Sequence, residues 1–304
     1  MTFGPEHEDP RPLHDGGSDA VTVAFSDEDA DVCGVARVGL AQADGTTAAS
    51  GLALLFAGGA PVAVRAQGGV EPGGSGWGGA SAAGVETEVV EPLRAWRVRF
   101  ADETGRNGFA LDLRAVAPPA ELESGDPAAK LGGMEGYEQL VEVEGVVTVD
   151  GTERSFRGHG QRGHSWGAPD WDRLAVARTL GVWFGDGTGL TAMAVRPAKA
   201  ASHADEAIHA VIVDAAGEDG DPAPVAVADP RISTTYDGEG RQRHAGLELY
   251  VGEDDPYARR AAGEVACGTT LDLGRLRLDC AFFRWRMEGR MGVGRYDVLR
   301  RVDA

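Results

Sequence analysis

The sequence predicts an all-β protein built from many short strands joined by glycine turns. Apolar and polar residues alternate at period two in several runs, which is typical of strands with one buried face. Glycine is abundant, at 45 of 304 residues, and shows no collagen period. Amphipathic helix is scarce. Short strands with glycine turns indicate a sandwich or barrel, and the length suits two domains of roughly 150 residues or one large β domain.

The first half of the chain contains two predicted hairpins. Residues 96–100 and 109–113 alternate apolar and polar side chains, and the turn-rich stretch 102–108 joins them. Residues 145–156 repeat the design around Asp-Gly at 150–151. Asp-Gly between apolar runs is a strong hairpin signal because both residues accept the positive φ of a tight turn.

The second half follows the same pattern, with further strands expected at 176–184, 190–195, 208–213 and 271–285. Residues 256–265 are expected to form one short helix. The Pro/Gly-rich stretch 116–136 predicts a linker or an active-site flap.

The expected organisation is a tail followed by two β domains. Residues 1–18 are acidic and proline-rich, which predicts a disordered tail. The N-terminal domain is expected at 19–157 and the C-terminal domain at 158–304. The tail has no apolar core of the kind a signal peptide needs, and the longest mostly apolar stretch, 51–64, is too short to span a bilayer.

Charge and cysteine content exclude several classes of partner. The formal net charge is −19, whereas nucleic acids and anionic membranes require clustered Lys or Arg. The acidic surface is expected to keep the protein soluble. Cys33, Cys267 and Cys280 are widely spaced and form no CxxC or metal-ligand pattern. A cytoplasmic, reduced location is therefore the expectation. The sequence does not determine the oligomeric state.

Chemistry-bearing residues concentrate in one stretch, GHGQRGHSWGAPDW at 158–171. These fourteen residues hold two of the seven histidines and two of the six tryptophans, together with an arginine and an aspartate. This density predicts a polar site lined by aromatic rings.

This stretch, preceded by Tyr137-Glu138-Gln139, resembles the signature of the AttH-like and carotenoid-hydratase-like (CrtC-like) superfamily. Residues 288–294 resemble the closing strand of that group. The resemblance covers about the last two-thirds of the chain and is specific at 137–171. It implies two lipocalin-like (calycin) β-barrels or sandwiches with an apolar pocket between or inside them. Relatives hydrate a terminal isoprenoid C=C bond or fold polyene chains as pericyclases.

The resemblance also suggests site residues. The hydratases use a His-x-Trp pair, which His164 and Trp166 match. Relatives read R-D-H-S-W-G, whereas this chain reads R-G-H-S-W-G, with Gly163 in the place of the aspartate. The role of that carboxylate must therefore be lost here or taken by another residue.

The predicted function is cofactor-independent acid–base hydration or cyclisation of a hydrophobic isoprenoid or polyene in a pocket between the β domains. Protonating an alkene requires an acid held in a dry pocket and aromatic faces that stabilise a cation. His164 is the expected acid, base or relay, with Asp170 or Glu138 as its catalytic carboxylate partner. The expected substrate-binding residues are Tyr137, His159, Arg162, Trp166, Trp171 and Trp183.

Structural roles for the same residues stay open. Asp170 suits a turn or helix cap, and Glu138 suits a buried ion pair with Arg162. The aromatic residues suit a barrel core, and His164 suits a satisfied structural histidine.

A metal site is not expected. His159 and His164 are an odd number of residues apart, which places them on opposite faces of a strand. Two other functions stay open: a non-catalytic carrier of a lipophilic metabolite, and a pericyclase in which shape matters more than His164.

Overall fold

The chain folds into two β units. A computed structural model describes residues 3–74, 76–202, 205–214, 221–252 and 256–302. Unit 1 comprises residues up to 121 together with 134–169, and unit 2 comprises residues 122–133 and those from 170 onward. Each unit is a curled antiparallel sheet, so the predicted all-β class with two lipocalin-like units is confirmed.

Unit 1 contains ten strands in one sheet. They are β1 (Ser18–Ser26), β2 (Val32–Ala43), β3 (Thr46–Ala57), β4 (Ala60–Val70), β5 (Val85–Glu91), β6 (Ala95–Ala101), β7 (Gly108–Ala115), β8 (Ala120–Leu122), β9 (Met134–Val149) and β10 (Thr152–Gly167). The spatial order is β4-β3-β2-β1-β10-β9-β7-β6-β5, and β8 pairs with β9. The first strand therefore lies beside β10, which carries most of the predicted motif.

Among its described residues, unit 2 contains one short helix, α1 (Pro127–Gly132), and a nine-stranded sheet. The strands are β11 (Leu174–Phe184), β12 (Gly189–Pro197), β13 (Ala207–Asp214), β14 (Ala223–Ala226), β15 (Asp229–Tyr236), β16 (Gln242–Tyr250), β17 (Arg259–Asp272), β18 (Leu276–Met287) and β19 (Arg290–Arg301). Their order is β14-β13-β12-β11-β19-β18-β17-β16-β15. None of the helices in the described ranges is long and apolar enough to cross a bilayer.

Each curled sheet encloses its own apolar core. In unit 1, Phe25, Phe100, Phe109 and Phe156 are buried together with valines and leucines of neighbouring strands. The inward side chains alternate with exposed ones along β6 and β7, as the sequence pattern predicts. In unit 2, the corresponding core includes Trp285 together with Phe283, Tyr296 and Leu247.

The predicted hairpins have the expected turns. β9 and β10 pair from end to end around Asp150 and Gly151, whose φ angles are 51° and 80°. Both residues thus adopt the left-handed conformation that an Asp-Gly hairpin turn requires.

Four expectations about organisation need correction. The boundary expected at 158 falls inside β10, which the ladder of unit 1 holds as one continuous strand, and the division lies after Pro169. The short helix expected at 256–265 is wrong for the described residues, because β17 begins at Arg259 and pairs with β16 and β18.

The stretch 116–136 is also more structured than a linker. It contains β8 and α1, which begins at an Asp126 cap on the amide of Ala128 and ends at Gly133 with φ 64°. The Asp126 carboxylate also accepts a hydrogen bond from His209 Nδ1 at 2.8 Å, which ties α1 to β13.

The tail expected at 1–18 is likewise corrected for its described part. A 3₁₀ turn occupies Pro5–Glu8, and both His7 and Glu8 are buried. Tertiary contacts outweigh the polar composition here, because the carboxylate of Glu8 finds donors inside unit 1.

Candidate functional site

Three side chains of the motif share one face of β10. Arg162, His164 and Trp166 are spaced two residues apart, and successive side chains of a strand alternate between its faces. In the ladder, His164 lies opposite Tyr137 of β9 and Trp166 lies opposite Asp19 of β1. The two neighbouring strands thus bring a phenol and a carboxylate to the face that carries His164.

Two glycines of the motif allow β1 to approach this face closely. A Cβ added at Gly158 would lie 2.1 Å from the carbonyl oxygen of Ser26, and one at Gly160 would lie 2.2 Å from that of Ala24. Real Cβ atoms do not approach so closely. The spacing of these glycines, two and four residues before Arg162, therefore serves the packing of β1 against β10.

His164 is completely buried and both of its ring nitrogens are hydrogen-bonded. Nδ1 lies 2.9 Å from the carbonyl oxygen of His7, and Nε2 lies 2.7 Å from Oδ1 of Asp19. A carbonyl oxygen can only accept, so Nδ1 must carry a hydrogen. The contact between Nε2 and Oδ1 needs a second hydrogen. His164 and Asp19 therefore share a proton, as imidazolium with carboxylate or as imidazole with carboxylic acid.

A buried ion pair lies beside the histidine. The NH2 group of Arg162 donates to Oε2 of Glu8 at 2.5 Å, and its NH1 group donates to the hydroxyl of Tyr137 at 2.7 Å. Both charged side chains are 3% exposed. Burial raises the pKa of Tyr137 to about 12 although the charge of Arg162 opposes this rise, so the phenol stays protonated at neutral pH. Its hydroxyl donates to the carbonyl oxygen of His7 at 3.2 Å.

Aromatic rings surround the imidazole. The ring centroids of Trp77, Tyr137 and Trp166 lie 5.3, 5.7 and 5.1 Å from that of His164, each edge to face. Such faces stabilise positive charge through their quadrupoles. The site therefore combines a stored proton with surroundings that favour a cation.

The chain's own N-terminal segment (residues 3–11) covers these groups. It supplies the His7 carbonyl and the Glu8 carboxylate described above. The backbone N–H of Arg11 also donates to Oδ2 of Asp19 at 2.6 Å, and its guanidinium lies 4.3 Å from the ring centroid of Trp166. The site is thus closed by the segment that the sequence predicted to be disordered.

The sequence interpretation missed the acidic members of the site. Asp19 carried one usable signal, since it is an acid at the start of an apolar, strand-like run. Glu8 carried none, because one carboxylate among several in a polar tail gives no hint of burial. Trp77 and Trp96 were not singled out either, although both donate their indole N–H to Glu8.

Glu138 and His159 lie on the other face of the sheet from His164. Glu138 pairs with Gly163 in the ladder, one residue out of phase with Tyr137 and His164. His159 is half-buried and, as its odd offset predicts, faces away from His164. The expected partnership of His164 with Glu138 is therefore wrong, and Asp19 takes that position.

The Glu138 carboxyl group fills the space beside Gly163. A Cβ at Gly163 would lie 2.3 to 2.5 Å from its carboxyl atoms. A carboxylate is therefore present at this position of the motif, although it comes from the neighbouring strand. Arg162 pairs with Glu8 instead of the suggested Glu138, which lies on the other face of the sheet.

The remaining predicted residues belong to unit 2. Asp170 is exposed and accepts a hydrogen bond from the N–H of Asp172 at 3.0 Å, as a turn residue does. Trp171 is half-exposed in the same turn. Trp183 is buried in β11 with its ring centroid 6.4 Å from that of Phe282. Asp170 is therefore not the carboxylate partner of His164.

A profile described as "Domain of unknown function (DUF7064)" matches residues 4–302. The chain belongs to this family. A search of curated proteins finds no match.

Solved structures share the fold of this DUF7064 protein at low sequence identity. A putative AttH from Nitrosomonas europaea aligns with a TM-score of 0.67 and 12% identity, over 99% of this chain and 96% of the other. CghA aligns with a TM-score of 0.64 and 14% identity, over 95% and 89%. Kievitone hydratase from Nectria haematococca gives 0.63 and 11%, over 99% and 93%. The predicted AttH-like resemblance is thereby confirmed at the level of the fold.

Proposed function

We propose that this DUF7064 protein is a cofactor-independent acid–base enzyme that hydrates or cyclises a hydrophobic small molecule. The observation that carries the proposal is the pair of buried contacts of His164, from Nδ1 to the His7 carbonyl oxygen and from Nε2 to Oδ1 of Asp19, which together require two ring hydrogens or a protonated Asp19. A proton held away from water and ringed by aromatic faces suits transfer to an electron-rich C=C bond. The name of kievitone hydratase, a protein of the same fold, supports this class of reaction.

In this mechanism Nδ1 of His164 gives its proton to an alkene carbon once the His7 carbonyl no longer occupies it. Asp19 keeps its hydrogen bond to Nε2 and holds the ring in place. The carbocation that forms faces Trp77, Tyr137 and Trp166. Hydration ends when water adds to the cation and returns a proton to Nδ1. Cyclisation ends when a second C=C bond adds and a carbon-bound proton is lost to Nδ1.

Arg162 and Tyr137 are proposed to orient the polar end of the substrate. Glu138, whose carboxyl group fills the space beside Gly163, lies on the other face of the sheet and takes no part in this proton transfer. The proposed isoprenoid or polyene substrate and the cytoplasmic location rest on the resemblance and on the cysteine pattern respectively. No cofactor enters the proposed reaction.

Deuterium transfer tests this proposal. The protein is incubated in D2O with a lipid extract of its source organism, and mass spectrometry searches for products with carbon-bound deuterium. We expect such a product from the wild type. His164→Gln should abolish it, and His159→Gln, on the other face of the same strand, should not. Full deuterium incorporation by a folded His164→Gln variant would contradict the proposed acid.

A second candidate function is a pericyclase or a carrier of a lipophilic metabolite. One observation favours it: both ring nitrogens of His164 are hydrogen-bonded within the protein, as expected of a structural residue that takes no part in proton transfer. A new product without deuterium would support the pericyclase. A ligand that co-purifies unchanged would support the carrier.

A further inference from the structure

The carboxylate of Glu8 occupies a small pocket of hydrogen-bond donors. Oε2 accepts from Arg162, and Oε1 accepts from the backbone N–H of Leu93 at 2.9 Å and from Nε1 of Trp96 at 3.1 Å. All three donors belong to the body of unit 1, and the carboxylate is buried. They would serve equally well for the carboxylate of another molecule, because nothing in their geometry requires a covalent link to the chain.

Two carbonyl groups of the same segment are held in the same way. The carbonyl oxygen of His7 accepts from Tyr137 and His164, and that of Glu8 accepts from Nε1 of Trp77 at 2.8 Å. Side chains of unit 1 therefore bind residues 7 and 8 much as an enzyme binds the polar groups of a ligand.

The N-terminal segment can leave without disturbing the sheet. Among its described residues, the one backbone-to-backbone hydrogen bond joins His7 to Gly4, within the segment itself. Firm backbone pairing begins only at Gly16 and Gly17, which bond to Gln42 of β2. The segment is thus held by hydrogen bonds in which one partner is a side chain. Pro10 has no backbone N–H with which to pair to a strand.

We infer that these donors form a binding site for a small hydrophobic molecule that bears a carboxylate, and that the N-terminal segment competes for it as an internal ligand. The ligand must carry a negative charge. When Glu8 leaves, Arg162 is buried without a counter-charge unless the ligand supplies one. The apolar part of the ligand replaces Phe3, whose ring centroid lies 5.1 Å from that of Tyr137.

This inference rests on the proposed function only because both concern the same site. It adds that the proposed substrate bears a carboxylate at one end. Displacement of the segment removes the His7 carbonyl from Nδ1 of His164, so binding of the acid and exposure of the proton occur together. A neutral molecule of the same shape would not compensate Arg162.

Fluorescence titration with cis-parinaric acid, a polyene fatty acid, tests the competition. Glu8→Gln keeps one acceptor oxygen, but in either orientation its amide N–H₂ faces hydrogen-bond donors, Arg162 on one side or Leu93 and Trp96 on the other, which weakens the closed state. If the segment covers the site in about 90% of the wild-type molecules, complete opening lowers the apparent Kd about tenfold, because the affinity scales with the fraction of molecules whose site is open. Asp9→Asn removes the same charge from an exposed neighbour and should leave the Kd unchanged.

The methyl ester of the probe has no charge but is still hydrophobic, so it separates the contribution of the carboxylate from that of the apolar chain. We expect the ester to bind both proteins more weakly than the acid does, because it cannot supply a counter-charge to Arg162. Equal Kd values of the acid for Glu8→Gln and Asp9→Asn would overturn the inference, as would an ester that binds as tightly as the acid. If Glu8→Gln fails to fold, Phe3→Ala loosens the same segment without touching a buried charge, and the same gain is expected.

Hydrogen exchange on the wild type gives a readout that needs no variant. Amides of residues 3–11 should exchange faster when the acid is bound, because the segment is displaced. Slower or unchanged exchange under saturating probe would refute displacement. None of these measurements requires turnover. A protein that binds the acid but transfers no deuterium would therefore keep this inference and lose the proposed function, and the reverse result would do the opposite.

Discussion

Replacing Gly160 by alanine should destabilise the protein, although the same change usually stabilises a site that tolerates it. The new Cβ would lie 2.2 Å from the carbonyl oxygen of Ala24 and 3.1 Å from Cα of Phe25. Both atoms belong to the backbone of β1, so no side-chain rotation relieves the clash. β1 must retreat by about 1 Å to restore ordinary contact distances.

This retreat has a calculable cost. It stretches the two nearest ladder hydrogen bonds beyond the usual limit, at about 1 kcal/mol each. Overpacking adds about 1–3 kcal/mol. Alanine stiffens the unfolded chain, which offsets about 0.4–1 kcal/mol. The free energy of unfolding should therefore fall by about 2–5 kcal/mol.

Urea denaturation followed by tryptophan fluorescence measures this change. Gly68→Ala is the matched control, since Gly68 is exposed in β4 and its added Cβ meets no atom within 4 Å. That variant should be neutral or more stable by up to about 1 kcal/mol. A Gly160→Ala protein as stable as Gly68→Ala would refute the close approach of β1 to β10, and with it the placement of Asp19 beside His164.

Three further predictions concern charge. Asp19→Asn preserves the shape next to His164 but cannot share the proton of the imidazole. Deuterium transfer should therefore fall by about 100-fold or more while the circular dichroism spectrum stays unchanged. A smaller loss would argue against a shared proton. Burial raises the pKa of Asp102, but hydrogen bonds within its turn outweigh this and lower the pKa from 3.8 to about 2. The stability that this group contributes is therefore complete above about pH 4 and is lost as the pH falls towards 2. Asp102→Asn should make the melting temperature less dependent on pH over that range, and an unchanged slope would refute the role. Glu206→Gln leaves Arg178 buried without its counter-charge in unit 2 and should cost about 3 kcal/mol in urea denaturation, whereas a loss below about 1 kcal/mol would contradict the pairing.

Much of the fold could be predicted because it depends on local pattern. Period-two alternation located the strands that contain Trp96, Phe109 and Val182, and Asp150-Gly151 located a hairpin. The helix expected near 256–265 failed because pairing with neighbouring strands outweighs a weak helical propensity.

The candidate site could be predicted only in part. His164, Arg162, Tyr137 and Trp166 converge because they lie on adjacent strands of one sheet face, and their local motif made them conspicuous. Asp170 and Glu138 were chosen as partners because they are near in sequence. Nearness along the chain says little about which face a side chain occupies, since one residue of offset reverses it.

The sequence by itself determined that this is an acidic, glycine-rich, all-β protein whose chemistry concentrates in the strand at 158–167. Those properties follow from composition and from periodicities within a few residues. Only the tertiary structure decided that Asp19 pairs with His164 and that Glu8 pairs with Arg162. The pairing of β1 with β10 brings Asp19 to His164, 145 residues away, and the N-terminal segment that folds over this face brings Glu8 to Arg162, 154 residues away. No local pattern encodes a contact whose stability comes from shared burial.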